Sequence, residues 1–154
     1  MKLIYAKDYQ QMSAAAARLL AAQVIEKPDA VLGLATGGTP VGTYRELVRL
    51  CGEGLVSFRG VHTVNLDEYC GLPGEHPQSF RYFMNENLFS KVDVLPENTY
   101  IPNGMAEDGT VECHRYEELV SRLGPVDIQV LGIGNNVSLL FDRMDFGETG
   151  CCGI

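Results

Sequence analysis

The sequence has no surplus of basic residues. Its 154 residues carry 12 Lys and Arg against 20 Asp and Glu, a formal net charge of −8. Neutralising a nucleic-acid backbone requires a basic face that this composition does not supply, so no nucleic-acid partner is expected. A small phosphorylated ligand stays compatible, because backbone N–H groups at a helix start hold an anion without net positive charge. No run approaches the roughly 18–20 unbroken apolar residues of a membrane span. The opening MKLIYAKDYQ also lacks the apolar core and small-residue cleavage site of a secretory signal. The expectation is a chain without membrane attachment. The five cysteines (Cys51, Cys70, Cys113, Cys151, Cys152) are odd in number and scattered, with no CxxC. That supports neither a disulfide framework nor a zinc site and fits a reducing cytoplasm. His62, His76 and His114 have no mutual metal-ligand spacing, so no metal is expected. Internal repeats, low-complexity tracts and linkers are lacking too.

What is present is a globular balance: 45% apolar and 21% charged residues in a length suited to one compact domain. Residues 1–6 read as a short first strand. The Ala- and Leu-rich run from Asp8 to Lys27 reads as a helix stopped by Pro28. AVLGLA (30–35) is a continuous apolar run of the kind that forms a buried parallel strand. A helix with Tyr44, Leu47, Val48 and Cys51 at helical spacing follows, with Pro40 in its first turn. VHTVNL (61–66) is the next strand, and residues 79–92 form a helix with Ser79 as cap. Phe80, Phe83, Met84 and Leu88 share one face of that helix and read as core. A weak strand at TYIPN, a helix over 111–123 and a last strand at VDIQVLGIG (126–134) complete the order. Alternating strands and helices imply an α/β fold, a three-layer α/β/α Rossmann-like domain with a mostly parallel sheet. Residues 1–136 make up that domain. After Gly134 the texture changes, and 137–154 reads as a divergent tail that leaves the domain incomplete at its C-terminal end.

Three constellations fall at carboxyl ends of expected strands, where open α/β sheets bind ligands. Thr36-Gly37-Gly38-Thr39 joins a strand to a helix; its glycines permit close backbone approach, and the helix start favours an anion. It has neither the Lys of a Walker loop nor a GxGxxG, and an ordinary tight turn is the alternative. Asp67-Glu68-Tyr69 offers two carboxylates, one of which can serve as a general base. Neighbours in an extended chain point opposite ways, so only one faces a cleft and the other makes a structural pair. A solvated acidic loop is the competing reading. Leu131 to Asn136 is a second Gly-rich strand end, which an Asn-containing turn would also explain.

LGLATGGTPVGTYRELV (32–48), VNLDEYCGLPGEHPQSFRYFMNENLF (64–89) and VDIQVLGIGNN (126–136) resemble the glucosamine-6-phosphate deaminase family, over about residues 1–136. The resemblance implies aldose–ketose isomerisation with ammonia release, converting glucosamine 6-phosphate to fructose 6-phosphate in amino-sugar catabolism, without metal or redox cofactor. By motif, Asp67 is the base that moves a proton from C2 to C1, Asn136 belongs to the group assisting ring opening, and Thr36, Gly37, Gly38, Thr39, Glu68 and Tyr69 bind substrate. A homo-oligomer is compatible with it. The family's third motif continues into GHIGFNEP, whereas here Ser138 stands at the His position and Arg143 at the Glu position. Ser138 has no acid–base capacity near neutral pH without a base of its own. Two alternatives therefore stand beside the deaminase: a catalytically defective chain that binds sugar phosphate or associates with intact subunits, and a 6-phosphogluconolactonase-like hydrolase.

Overall fold

Capping residues and apolar runs set the element order. The computed structural model describes residues 3–132. Asn136, residues 133–134 of the last expected strand, and the tail 137–154 with Cys151 and Cys152 lie outside the described residues. Helix α1 (Tyr9–Glu26) starts where the Asp8 carboxylate accepts from the Gln11 N–H at 2.7 Å, and it buries Ser13, Ala17, Leu20, Ala21 and Val24 along one face. Strand β1 (Val31–Leu34) is buried throughout. Helix α2 (Val41–Gly52) follows Pro40, which stands at the cap itself, one place ahead of the first-turn position expected. Its carbonyl still takes the first helical bond, from Tyr44 N at 2.9 Å.

Strand β2 (His62–Asn65) leads through the 66–78 loop to α3 (Phe80–Asn87), capped by Ser79 Oγ, which accepts from Tyr82 N at 2.9 Å. This helix stops five residues short of the expected end at 92. The Asn87 amide donates back to the Phe83 carbonyl at 2.7 Å, competing with the main chain, and Leu88 leaves the helical region at φ −143°. Phe89–Lys91 is then a separate 3-10 turn. Strand β3 (Thr99–Tyr100), helix α4 (Gly109–Leu123, capped by Asp108) and strand β4 (Ile128–Gln129) complete the described chain.

The expected strand at 1–6 is not found: residues 3–6 form none, and Leu3 and Tyr5 are 83% and 94% exposed. A strand requires a neighbour for its main-chain groups, and among the described residues no strand pairs with this segment.

The sheet is wholly parallel with order β3-β2-β1-β4. The chain steps outward from β1 to β3, then returns to the far side of β1. With right-handed crossovers this puts α2 and α3 on one face and α4 on the other, with α1 packed along α2. The layered α/β Rossmann-like class read from the sequence is therefore observed. Leu32 and Leu34 of β1 meet Leu20, Val24, Tyr44, Leu47 and Met84 in the core on the α1–α3 side. The reversal beside β1 creates a crevice at the carboxyl ends of the strands.

Candidate functional site

Leu34 pairs with Asn65 across β1 and β2. Thr36 and Asp67 each lie two residues beyond these paired strand ends, at the carboxyl end of the sheet. On the other flank of β1, Val130 N donates to Gly33 O at 2.8 Å. That carries Leu131 and Gly132, the opening of the third Gly-rich motif, toward the same end of the sheet.

The 36–39 turn is built on two tyrosines. The Tyr9 hydroxyl of α1 is shared between the carbonyls of Gly38 (3.0 Å) and Thr39 (3.1 Å) and accepts from Gly42 N at 2.8 Å. The buried Tyr44 hydroxyl donates to Ala35 O and accepts from Ala35 N at 3.1 Å; burial raises its pKa above the usual phenol value, against the hydrogen bond to Ala35. Gly37 adopts φ +94°, a conformation that favours glycine. The N–H groups of Gly37, Gly38 and Thr39 have no acceptor among the described residues. Three such donors at the start of α2 are the kind of group that can hold an anion.

Asp67 and Glu68 diverge. The Asp67 carboxylate is half-buried and has no hydrogen-bond partner among the described residues. Burial, and then the charge of Glu68, raise its pKa above the ordinary carboxylate value. Glu68 is 4% exposed and spends both oxygens on main chain: Oε1 accepts from Tyr69 N (2.9 Å) and Phe80 N (2.8 Å), Oε2 from Arg81 N (2.9 Å). Of the two acidic neighbours, Glu68 is the one whose oxygens are engaged in structure, at the start of helix α3. The Tyr69 ring is 42% exposed and lies against Phe80, with centroids 4.6 Å apart.

A cleft of about 580 Å³ runs between the turn and the 69–83 segment, with Gly37, Tyr69, Leu72, Pro77, Gln78 and Phe80 in its wall. The structure thus brings Gly37 and Tyr69 together; Asp67 is not part of this wall. The apolar stripe of α3 divides accordingly: Met84 and Leu88 lie in the core, Phe83 packs against the core and also lines the cleft, and Phe80 faces the cleft. Residues the sequence reading missed hold the strand ends. Asn65, 1% exposed, donates to Leu34 O at 3.1 Å, and the Tyr116 hydroxyl of α4 bonds the carbonyls of Asn65 (2.8 Å) and Tyr100 (3.0 Å). The sequence offered only the helical spacing of Tyr44 and the place of Asn65 at the end of an expected strand.

Among the described residues no three His, Cys, Asp or Glu side chains cluster to hold a metal ion. His62 stacks on Tyr100, and His76 Nδ1 accepts from Gln78 N at 3.2 Å. No helix among the described residues is long and apolar enough to cross a membrane.

Residues 6–137 match the family of glucosamine-6-phosphate isomerases/6-phosphogluconolactonase. A glucosamine-6-phosphate deaminase of Geobacillus sp. (strain WCH70) is 54% identical over 143 residues, 93% of this chain and 57% of that protein. A solved glucosamine-6-phosphate deaminase, described as monomeric, superposes with a TM-score of 0.85 at 52% identity, covering 87% of this chain and 56% of its own. A 6-phosphogluconolactonase of Thermotoga maritima superposes with a TM-score of 0.70 at 26% identity, over 86% of this chain and 60% of its own. The chain spans somewhat over half the length of the relatives it matches. On the family match and these identities, the chain belongs to the glucosamine-6-phosphate isomerase/6-phosphogluconolactonase family.

Proposed function

We propose that this chain carries the proton-transfer site of a glucosamine-6-phosphate deaminase, which converts glucosamine 6-phosphate and water to fructose 6-phosphate and ammonia. The observation that carries the reading is a half-buried carboxylate, Asp67, just past the end of β2, with no hydrogen-bond partner among the described residues. The paired strand β1 leads into a turn whose N–H groups have no acceptor among the described residues. Isomerisation requires one base in reach of two adjacent carbons. A carboxylate whose proton affinity is raised can take the proton from C2 of the opened sugar and return it to C1 through an enediol-like intermediate. Gly37, Gly38 and Thr39 hold the phosphate with their N–H groups, the Thr36 and Thr39 hydroxyls assist, and Tyr69 flanks the sugar. Glu68 contributes through the loop it holds. Asn136 belongs to the ring-opening group by motif alone. The reaction calls for no metal or redox cofactor, and its setting is amino-sugar catabolism in the cytoplasm. The 54% identity to a deaminase against 26% to a lactonase favours this chemistry over lactone hydrolysis.

One observation favours a second reading, sugar-phosphate binding without turnover: Ser138 and Arg143 stand where the family motif has His and Glu. Loss of a general acid–base group costs about 10²–10⁴-fold in rate. The test is ammonia release from glucosamine 6-phosphate by the 154-residue chain and by Asp67→Asn. It is paired with a fructose 6-phosphate titration that follows the Gly37, Gly38 and Thr39 amide resonances. Ammonia lost in Asp67→Asn supports the deaminase; shifted amides without ammonia support the binding chain; lactone hydrolysis without ammonia sinks both.

A further inference from the structure

We infer that Glu68 is the positioning residue of this site: its buried carboxylate clamps the segment bearing Asp67 and Tyr69 onto the first turn of α3. The inference rests on Asp67 being the proton-transfer base. An ionised carboxylate at 4% exposure is costly unless its oxygens are fully hydrogen-bonded. Here the partners are three main-chain N–H groups, at 2.9, 2.8 and 2.9 Å. The first N–H groups of a helix need acceptors from outside it. In α3 Ser79 Oγ takes that of Tyr82, while Glu68 takes those of Phe80 and Arg81. An eight-residue helix is too short to be stable alone, so the same contact that seats the loop also seats the helix.

The other side of the loop is closed by main chain. Gly71 N donates to Gly104 O at 2.7 Å. A Cβ at Gly104 would lie 2.2 Å from Tyr69 O, 2.9 Å from Leu72 O and 3.2 Å from Glu68 Cγ. Held between α3 and Gly104, the 67–71 backbone has one path, and that path sets where Asp67 stands. Glu68 interacts electrostatically with Asp67 and with Arg81. Arg81 is committed elsewhere, its guanidinium donating to Thr99 O (3.2 and 3.1 Å) and Thr99 Oγ1 (2.9 Å). Glu68 therefore presents its charge to Asp67 without a cation bonded to it.

The experiment is carboxyl and amide NMR on the full chain, comparing wild type with Glu68→Gln and Glu68→Asp. Glu68→Gln removes the charge and points an NH₂ donor at an N–H. The expected result is an Asp67 carboxyl that titrates at lower pH, with displaced Tyr69, Phe80 and Arg81 amides and weaker fructose 6-phosphate binding. Glu68→Asp keeps the charge one methylene short of α3: the amides move, while the Asp67 titration stays close to wild type. An unchanged Asp67 titration and Tyr69 amide in Glu68→Gln overturn the inference. If neither variant folds, wild type decides: the Tyr69, Phe80 and Arg81 amides must then move with the titration of the Asp67 carboxyl, and amides that stay still through it overturn the inference equally. Failure of the underlying reading is separate, since ammonia release surviving Asp67→Asn would remove the base and leave the clamp standing.

Discussion

Two aspartates of this chain are under opposite influences. Asp127 accepts from Lys27 Nζ at 2.8 and 2.9 Å and from Val31 N at 2.8 Å, and these bonds, the Lys27 bond foremost, lower its pKa. Its contribution to stability is therefore present above the unfolded value of about 3.9 and fades as pH falls through the folded value. Asp67 has the reverse sign: burial first, then Glu68, raises its pKa, so the native state holds the proton more tightly than the unfolded chain. Ionising it costs stability, and that cost is absent below about pH 3.9 and grows as pH rises through the folded value. We expect Asp67→Asn to melt above wild type at pH 7 and the gap to close in acid, while Asp127→Asn melts below wild type at pH 7. Thermal melts from pH 3 to 8 check both signs. At this scale the divergence of Asp67 and Glu68 was legible in the sequence, because alternation along an extended segment is local, whereas which of the two is the base came only from the family motif. It could not disclose Tyr9, whose hydroxyl meets carbonyls 29 and 30 residues away. Tyr9→Phe removes those bonds and is expected to cost about 1 kcal/mol, with shifted Gly38 and Thr39 amides; a spectrum unchanged at those positions would falsify the brace.

Between elements, the α1–α2 contact positions the turn. Gly42 lies within α2, where alanine would gain up to about 1 kcal/mol from helix propensity. A Cβ there would stand 2.3 Å from Ser13 Oγ, 2.8 Å from Tyr9 Cε1 and 2.9 Å from Ser13 Cβ. Ser13 Cβ cannot swing aside, so overpacking of about 1–3 kcal/mol wins. Gly42→Ala is expected to lower the denaturation midpoint and to disturb the 36–39 amides together, because the helix that must move bears Tyr9. The elements themselves were mostly legible: Ser79 caps α3 as its side-chain chemistry implies, and β1 is the apolar run it resembles, whereas the Asp108 cap, which starts α4 two residues before the expected 111, was not read. The errors came where pairing or side-chain competition decides. Residues 3–6 have strand-like composition but no strand beside them among the described residues, and α3 ends at an Asn that bonds its own turn.

For the whole molecule, charge sets the terms on which the proposed ligand, an anionic sugar phosphate, would arrive. The net charge of −8 repels it over a Debye length of about 30 Å at 0.01 M salt, shrinking to about 8 Å at 0.15 M. The wall of the cleft has no Lys or Arg, and the proposed anion cradle consists of N–H dipoles that act at contact distance. Salt therefore screens the long-range repulsion more than the local attraction. A site made of lysines and arginines behaves the other way, losing affinity as salt rises. Titrating fructose 6-phosphate into the full chain at about 0.01 and 0.15 M NaCl should give equal or tighter binding at the higher concentration. The Gly37, Gly38 and Thr39 amides should report it. Binding that weakens steeply with salt would mean that side-chain cations outside the described residues hold the phosphate, and the backbone turn would lose its place as the principal contact.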